Sequence, residues 1–278
     1  MGEPLDLSFS ALSLYGSCPL KYRYLHVDGS AEPAVAPDWR RAPATVAVAP
    51  LTPAIDRELG LAVHRAISHW QRGVDGGKRP SAAALLAAVA QECVNQRLPQ
   101  AALARGVERL RPGLSAYAEG PWPRRHTLFL EQPVRHLLSD GAFSVRLSLR
   151  VDRVARYQRG VAILDFKTVP PHAIERRADA WQLRTYALAA PELLGLTPEK
   201  VALFIIDLRD DREIPVADTV ADLKTAAAEL IAAARGIAAN LFDVGEGHAD
   251  RPCWECGFRL TCPMSTATDP PIRRPQSH

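Results

Sequence analysis

Two aspartates and a lysine stand at the ends of consecutive strand-like runs. Asp152 follows one run, and Asp165 and Lys167 close the next, which includes the apolar segment 161–164. Residues two apart on a strand share a face, so Asp165 and Lys167 point the same way, and Asp152 joins them if the two strands are adjacent. Paired carboxylates suit Mg²⁺ or Mn²⁺. Such an ion would polarise a phosphodiester and activate a water, while the ammonium orients that water or offsets developing charge.

The same three residues have a simpler interpretation. An aspartate and a lysine at the end of a strand often form a solvated ion pair with no catalytic role. The spacing alone leaves both interpretations open.

A second group of residues with metal-binding chemistry lies near the C-terminus. Three of the five cysteines, Cys253, Cys256 and Cys262, fall within ten residues, and the first two form a C-x₂-C pair. One further thiolate would complete a four-sulfur site, and Cys18 and Cys93 are the candidates. Cys93 lies in an apolar helical pattern typical of a buried thiol, whereas Cys18 lies in a turn between two short helices. Four thiolates suit either an iron–sulfur cluster or zinc.

The elements that must position these residues follow from periodicity. Apolar residues recur at helical spacing over most of the first 120 residues, and the segment 143–152 then alternates apolar and polar residues as a strand does. We predict helices over 52–71, 81–98, 100–117, 174–190 and 218–241, with Asp218 as the cap of the last. We predict strands over 127–138, 143–157, 161–166 and 201–207.

These elements predict a single α/β domain over residues 1–278. A mostly helical part, 1–120, precedes a mixed sheet core, 121–217. The last long helix and the cysteines occupy 218–268, and the Pro/Arg-rich tail 269–278 is expected to be flexible. The Pro-, Ala- and Gly-containing segment 28–53 predicts a surface loop or a mobile lid.

Composition excludes several classes of protein. The chain has 278 residues, of which 47% are hydrophobic and 23% charged, with a formal net charge of +3. These values exclude global disorder, and no apolar run reaches the length of a membrane span. The N-terminus has no secretory pattern, so we expect a cytoplasmic protein with no membrane partner. No G-x-x-x-x-G-K-[ST] motif occurs, so any DNA unwinding would need a partner.

Three motifs together resemble the PD-(D/E)xK nucleases of the RecB type. They are Asp152, the segment 163–168 with its Asp-x-Lys, and the segment 182–186 with its Gln-x-x-x-Tyr. The resemblance implies a restriction-endonuclease-like mixed sheet flanked by helices. It implies that Asp152 and Asp165 bind metal, that Lys167 is catalytic, and that Gln182 and Tyr186 position a DNA strand. Tyr186 also fits the pattern of an ordinary core residue on its helix.

Two further positions are similar to the same family. The segment 60–64 reads Gly-x-x-x-His, and the resemblance gives His64 a place at the metal site, although a structural role is the alternative. Glu131 stands where many relatives carry a supporting acidic residue, and it could equally be a solvent-facing strand residue. One departure is Leu149, where relatives often have glycine.

The cysteine pattern is similar to one branch of this family. Enzymes of the AddB kind and the CRISPR spacer-acquisition nucleases carry one N-terminal cysteine and a C-terminal Cys-x₂-Cys-x₅-Cys that together hold a [4Fe–4S] cluster. The resemblance implies that Cys18, Cys253, Cys256 and Cys262 are its ligands and that Cys93 is not. Structural Zn²⁺ is the alternative.

The function implied is that of a Mg²⁺- or Mn²⁺-dependent DNA nuclease, an exonuclease acting on single-stranded DNA or DNA ends. DNA repair or recombination and CRISPR adaptation are the two implied settings, with a helicase or a CRISPR integrase as partner. The alternative is a catalytically silent DNA-binding adaptor of a nuclease–helicase or integrase complex, although Asp152, Asp165 and Lys167 are all retained.

Overall fold

A six-stranded mixed sheet with helices on both faces forms the core of the protein. The computed structural model describes residues 3–33, 53–168, 177–216, 220–244, 253 and 256–265. The mixed sheet and its flanking helices confirm the expected α/β class and agree with a restriction-endonuclease-like fold. Among the helices described, none combines the length and apolarity that crossing a bilayer requires.

The helices of the described residues lie mostly where periodicity places them. They are α1 (Phe9–Ser17), α2 (Pro19–Tyr22), α3 (Pro53–Asp75), α4 (Ala82–Asn95), α5 (Gln100–Glu119), α6 (Arg177–Leu194) and α7 (Val220–Ala238). Ser81 caps α4, since its hydroxyl accepts a hydrogen bond from the Ala84 amide at 3.4 Å. Pro112 lies inside α5 without ending it.

The longest strand organises the sheet. The strands are β1 (Leu5–Ser8), β2 (Thr127–Ser139), β3 (Ser144–Tyr157), β4 (Gly160–Lys167), β5 (Val201–Asp207) and β6 (Arg212–Val216). Along one edge β3 pairs with antiparallel β2, and along the other it pairs with parallel β1 near its start and antiparallel β4 near its end. Parallel β5 and then antiparallel β6 continue the sheet beyond β4.

The two faces of β4 pack against different helices. Ala162, Leu164 and Phe166 belong to the core formed with α3, α4 and α5. Val161 and Ile163 belong to the core formed with α6. Because side chains alternate along a strand, Asp165 and Lys167 lie on the α6 face, at the carboxyl end of β4.

The alternation of side chains along β3 is interrupted at Asp152. Val151 and Val154 both pack in the core under α6, whereas Arg153 reaches Tyr117 of α5 on the opposite face. Since 151 and 154 are three apart, the two-residue period fails between them. Asp152 lies at this interruption.

Some predictions differ from the structure or lie outside what it describes. The prediction that the sheet begins near residue 127 was incomplete, because β1 adds a strand near the N-terminus; four residues are too few to show a period. Asp218, residues 34–52 of the proposed loop, residues 174–176 and the tail from 266 lie outside the described residues. The division of the chain into its parts stays a prediction.

Candidate metal centre

The carboxylate of Asp152 is held between two neighbours. The backbone amide of Phe166 donates to its Oδ2 at 2.9 Å, and the His64 Nδ1 lies 3.2 Å from its Oδ1. The amide contact ties β3 to β4 just beyond the last backbone pair of these two strands, Arg153 with Leu164. The His64 contact brings α3 to the same place, so residues far apart in sequence meet at one carboxylate.

Glu131 completes a group of three potential metal ligands. The ligand atoms of His64, Glu131 and Asp152 all lie within 4.8 Å of one another, the only such group among the residues that the structure describes. The register pairs Leu130 with Arg153 and Gln132 with Val151, which places Glu131 opposite Asp152.

The backbone of Glu131 is unusual for a strand residue. Its φ is +51°, in the left-handed region that costs an L-residue with a side chain roughly 1–2 kcal/mol. Strained backbone of this kind is concentrated at functional sites. It coincides here with the interruption of β3 at Asp152, so both strands depart from regular geometry at the metal-ligand group.

Asp165 and Lys167 form a connected arrangement beside this group. Lys167 Nζ lies 2.8 Å from Asp165 Oδ2 and donates to Gln182 Oε1 at 3.0 Å. Gln182 Nε2 donates in turn to the Tyr186 hydroxyl at 2.8 Å, and that hydroxyl donates to the Arg150 carbonyl. Since the hydroxyl proton is used on Arg150, the tyrosine accepts from the amide nitrogen, and the amide oxygen therefore faces the lysine.

Charges at the site shift the pKa values of its groups in opposite directions. Burial lowers the pKa of the His64 imidazole, but the Asp152 carboxylate outweighs burial and raises it to about 9. Burial opposes ionisation of Asp152, yet His64 and the Phe166 amide hold its pKa below the usual range. These two shifts are the two sides of one attraction.

The other carboxylates are harder to ionise. Burial raises the pKa of Asp165 to about 6, against the attraction of Lys167. Burial, followed by repulsion from Asp152, also raises the pKa of Glu131. A cation bound among these carboxylates would relieve both effects, because it supplies the positive charge that favours their ionised forms.

This donor set fits a divalent cation. His64, Glu131 and Asp152 offer one nitrogen and two carboxylates within ligand distance of one another, with the Asp165 carboxylate close by. Carboxylates suit Mg²⁺ and Mn²⁺, whereas an imidazole ligand is more typical of transition metals. The mixed set therefore fits Mn²⁺ better than Mg²⁺.

A buried arginine anchors the strand behind the centre. Arg153 is fully buried and donates to the Tyr117 hydroxyl at 2.8 Å and to the Thr127 hydroxyl at 3.0 Å. The Tyr117 ring packs edge-on against Phe166, with centroids 5.1 Å apart. Sequence reasoning missed this anchor, although the broken alternation over 151–154 was a signal that could have found it.

The cysteine segments pack together, but their sulfurs are not gathered at metal-ligand spacing. Glu32 joins the two segments, since it accepts from the Gly257 amide at 3.1 Å and pairs with Lys21 at 2.6 Å. Cys18 is near enough to Cys256 to contribute to raising the pKa of that thiol, after burial as the main cause. Within the described residues, which include all five cysteines, no three sulfurs lie within 4.8 Å of one another.

Cys93 has the environment that its sequence pattern predicts. It is fully buried in the core of α3, α4 and α5, and burial raises the pKa of its thiol to about 11. A neutral thiol in an apolar core is not a metal ligand.

Comparison with known proteins places the chain in a family. The family model described as the PD-(D/E)XK nuclease superfamily matches residues 6–263. The protein therefore belongs to the PD-(D/E)XK nuclease superfamily. Among solved structures, the crystal structure of SSO0001 is similar, with 15% identity and a TM-score of 0.42 over 96% of this chain and 90% of that chain. No curated protein matches the chain.

Proposed function

We propose that the protein is a metal-dependent DNA nuclease of the RecB-like kind, acting on single-stranded DNA or on DNA ends. The observation that carries the proposal is the convergence of His64, Glu131 and Asp152 beside the Asp165–Lys167 pair. DNA repair or recombination and CRISPR adaptation are the settings in which such an activity serves, with a helicase or an integrase supplying the strand.

Each residue of the site has a role in this proposal. His64, Glu131, Asp152 and Asp165 would hold the cation, with Mn²⁺ preferred. When bound, the cation supplies Lewis-acid polarisation of the phosphodiester and lowers the pKa of a water.

Lys167 has two roles in this proposal, one toward the attacking water and one toward the negative charge on the phosphate. Its ammonium, held between Asp165 and Gln182, orients the attacking water and offsets negative charge on the phosphate oxygens in the transition state. Gln182 and Tyr186 are positioning residues in this scheme. Tyr186 is fully buried, so it acts through Gln182 rather than by touching DNA.

A cleavage assay tests the proposal. Labelled single-stranded and duplex DNA would be incubated with wild type and with Asp165→Asn in Mn²⁺, in Mg²⁺ and in a chelator. We expect metal-dependent cleavage by wild type and a loss of at least about 10²-fold in the variant. Asp211→Asn is the matched control, because Asp211 is exposed and lies in the turn between β5 and β6. Absence of cleavage of any DNA form by wild type would favour the silent adaptor.

We further propose that Cys18, Cys253, Cys256 and Cys262 ligate a [4Fe–4S] cluster. The packing of the Cys18 segment against the Cys256 segment through Lys21 and Glu32 supports this proposal. Bringing the sulfurs to cluster distance requires a local rearrangement of these two segments. The cluster would join the two ends of the chain and constrain the unfolded state.

Metal analysis distinguishes the cluster from zinc. Protein purified without oxygen should be brown, with broad absorbance near ~400 nm and about four irons per chain. A colourless protein with one zinc per chain would show that the four thiolates form a structural zinc site instead.

A further inference from the structure

We propose that Arg150 is a substrate-binding residue of this site, which contacts the DNA phosphate next to the one that is cleaved. The inference rests on the proposed nuclease function. It names the side chain through which a polyanionic strand is held at a centre built largely of carboxylates.

The cationic side chains of the site differ in their exposure to solvent. Among the described residues, three cationic side chains contact the carboxylates of the site: His64, Lys167 and Arg150. The His64 and Lys167 side chains are 27% and 15% exposed, whereas that of Arg150 is 65% exposed. A DNA strand arriving from solvent therefore meets the Arg150 guanidinium first.

The three cations also differ in how closely the carboxylates hold them. Lys167 is held at 2.8 Å by Asp165 and His64 at 3.2 Å by Asp152. Arg150 Nη1 lies 3.6 Å from Glu131 Oε2, a looser contact in a more exposed place. An exposed ion pair contributes little, so a phosphate can replace it at low cost. The guanidinium fork matches two phosphate oxygens.

Arg150 also lies close to the proposed metal ligands. Arg150 and Asp152 are two apart on β3, about 6.6 Å along the strand. On the neighbouring strand, Arg150 contacts Glu131, whose carboxylate belongs to the same group of potential metal ligands as that of Asp152. The backbone carbonyl of Arg150 accepts from the buried Tyr186 hydroxyl, which fixes the strand there. The side chain is therefore exposed at its tip, whereas the backbone at its base is anchored.

The positive charge of Arg150 should have opposite effects on metal binding and on DNA binding. Near the site, the Arg150 charge repels a metal cation and attracts a phosphate. Replacing it with a neutral residue should therefore strengthen metal binding and weaken DNA binding. General damage to the site would weaken both.

The experiment compares the full-length wild type with Arg150→Gln, Arg150→Lys and Arg146→Gln. Arg146 is the matched control, because it is an arginine of β3 that pairs with exposed Asp6 away from the centre. Mn²⁺ affinity would be measured by calorimetry, and affinity for a short labelled single strand by anisotropy in a chelator at several salt concentrations. KM and kcat would be measured on the same strand.

For Arg150→Gln we expect DNA affinity to fall about fivefold to tenfold and Mn²⁺ affinity to rise about threefold. The slope of log affinity against log salt should become less negative by about 0.7, the value for one phosphate on a single strand. KM should rise with kcat little changed. Arg150→Lys should restore part of the DNA affinity, and Arg146→Gln should match wild type.

Two results would overturn the inference while leaving the proposed function intact. One is wild-type DNA affinity and salt slope in Arg150→Gln, with wild type active. The other is a fall in Mn²⁺ and DNA affinity together. If wild type neither binds nor cleaves DNA, the proposed function itself fails and the inference falls with it.

Discussion

Lys167 and Gln182 are joined by a hydrogen bond of 3.0 Å that Nζ donates to Oε1. The amide presents its oxygen to the ammonium because its nitrogen is committed to the Tyr186 hydroxyl. The Tyr186 hydroxyl therefore fixes the orientation of the Gln182 amide and, through that amide, the position of the Lys167 ammonium. Tyr186 itself is fully buried.

Removal of the Tyr186 hydroxyl should therefore impair catalysis more than binding. In Tyr186→Phe, the Gln182 amide and the Arg150 carbonyl each lose a partner. We expect kcat to fall about tenfold with KM little changed, and stability to fall by about 1–3 kcal/mol. Tyr15→Phe is the control, since its hydroxyl donates to the Leu241 carbonyl at 2.5 Å far from the site. A Tyr186→Phe enzyme with wild-type kcat would show that this chain does not position Lys167.

Glu131 should show a trade between stability and metal binding. Glu131→Gly removes the strain of a φ of +51° and should stabilise the metal-free protein by roughly 0.5–1 kcal/mol. The same change removes a carboxylate, so the rise in Tm caused by Mn²⁺ should shrink. Glu131→Gln keeps the strained backbone and loses the charge; it should lose metal affinity without the gain from relief of strain. Thermal unfolding with and without Mn²⁺ measures both effects.

His64 should stabilise the metal-free protein in a pH-dependent way. Its pKa is raised to about 9 in the folded state, from about 6.5 unfolded, so the stabilisation is complete below pH 6.5 and is lost as pH rises through 9. The stability difference between wild type and His64→Asn should be on the order of 3 kcal/mol near pH 6 and nearly absent above pH 9. Urea unfolding in a chelator at several pH values measures it. A difference that stays constant with pH would contradict the His64–Asp152 attraction.

Asp165 should also lose its stabilising contribution as pH rises, but over a lower pH range. Its pKa is raised to about 6, so its neutral form stabilises the fold below the unfolded value of about 3.9, and that stability is lost as pH rises through 6. Asp165→Asn stays neutral, so its stability relative to metal-free wild type should increase between pH 4 and pH 7, while activity is lost. If the relative stability falls over that range, Lys167 compensates the carboxylate more fully than burial penalises it.

Cysteine substitutions should separate ligands from the bystander. Cys18→Ser should lose the brown colour and most of the iron, because a cluster ligand is removed. Cys93→Ala should keep the colour and lose on the order of 1 kcal/mol of stability, since a buried side chain is truncated in the core. Equal loss of iron in both variants would refute the assignment of Cys18.

Much of the fold follows from local patterns. Helical spacing over 53–75 and alternation over 143–151 are strong enough to specify α3 and the start of β3, and Ser81 specifies where α4 begins. Strand β1 has only four residues, too few to show the alternation of a strand. Its place in the sheet depends on pairing with residues 145–148, which no local pattern reveals.

The types and spacing of Asp152, Asp165 and Lys167 indicated carboxylate and lysine chemistry from the sequence alone, because two residues apart on a strand must share a face. The family resemblance also named His64 and Glu131, whereas their contacts with Asp152, and the place of Arg150, were decided by the tertiary structure. The pairing of β2 with β3 brings Glu131 and Arg150 to the site. The packing of α3 against the sheet brings His64 to Asp152. Register and packing bring such residues together through contacts distant in sequence, so no local pattern encodes their proximity.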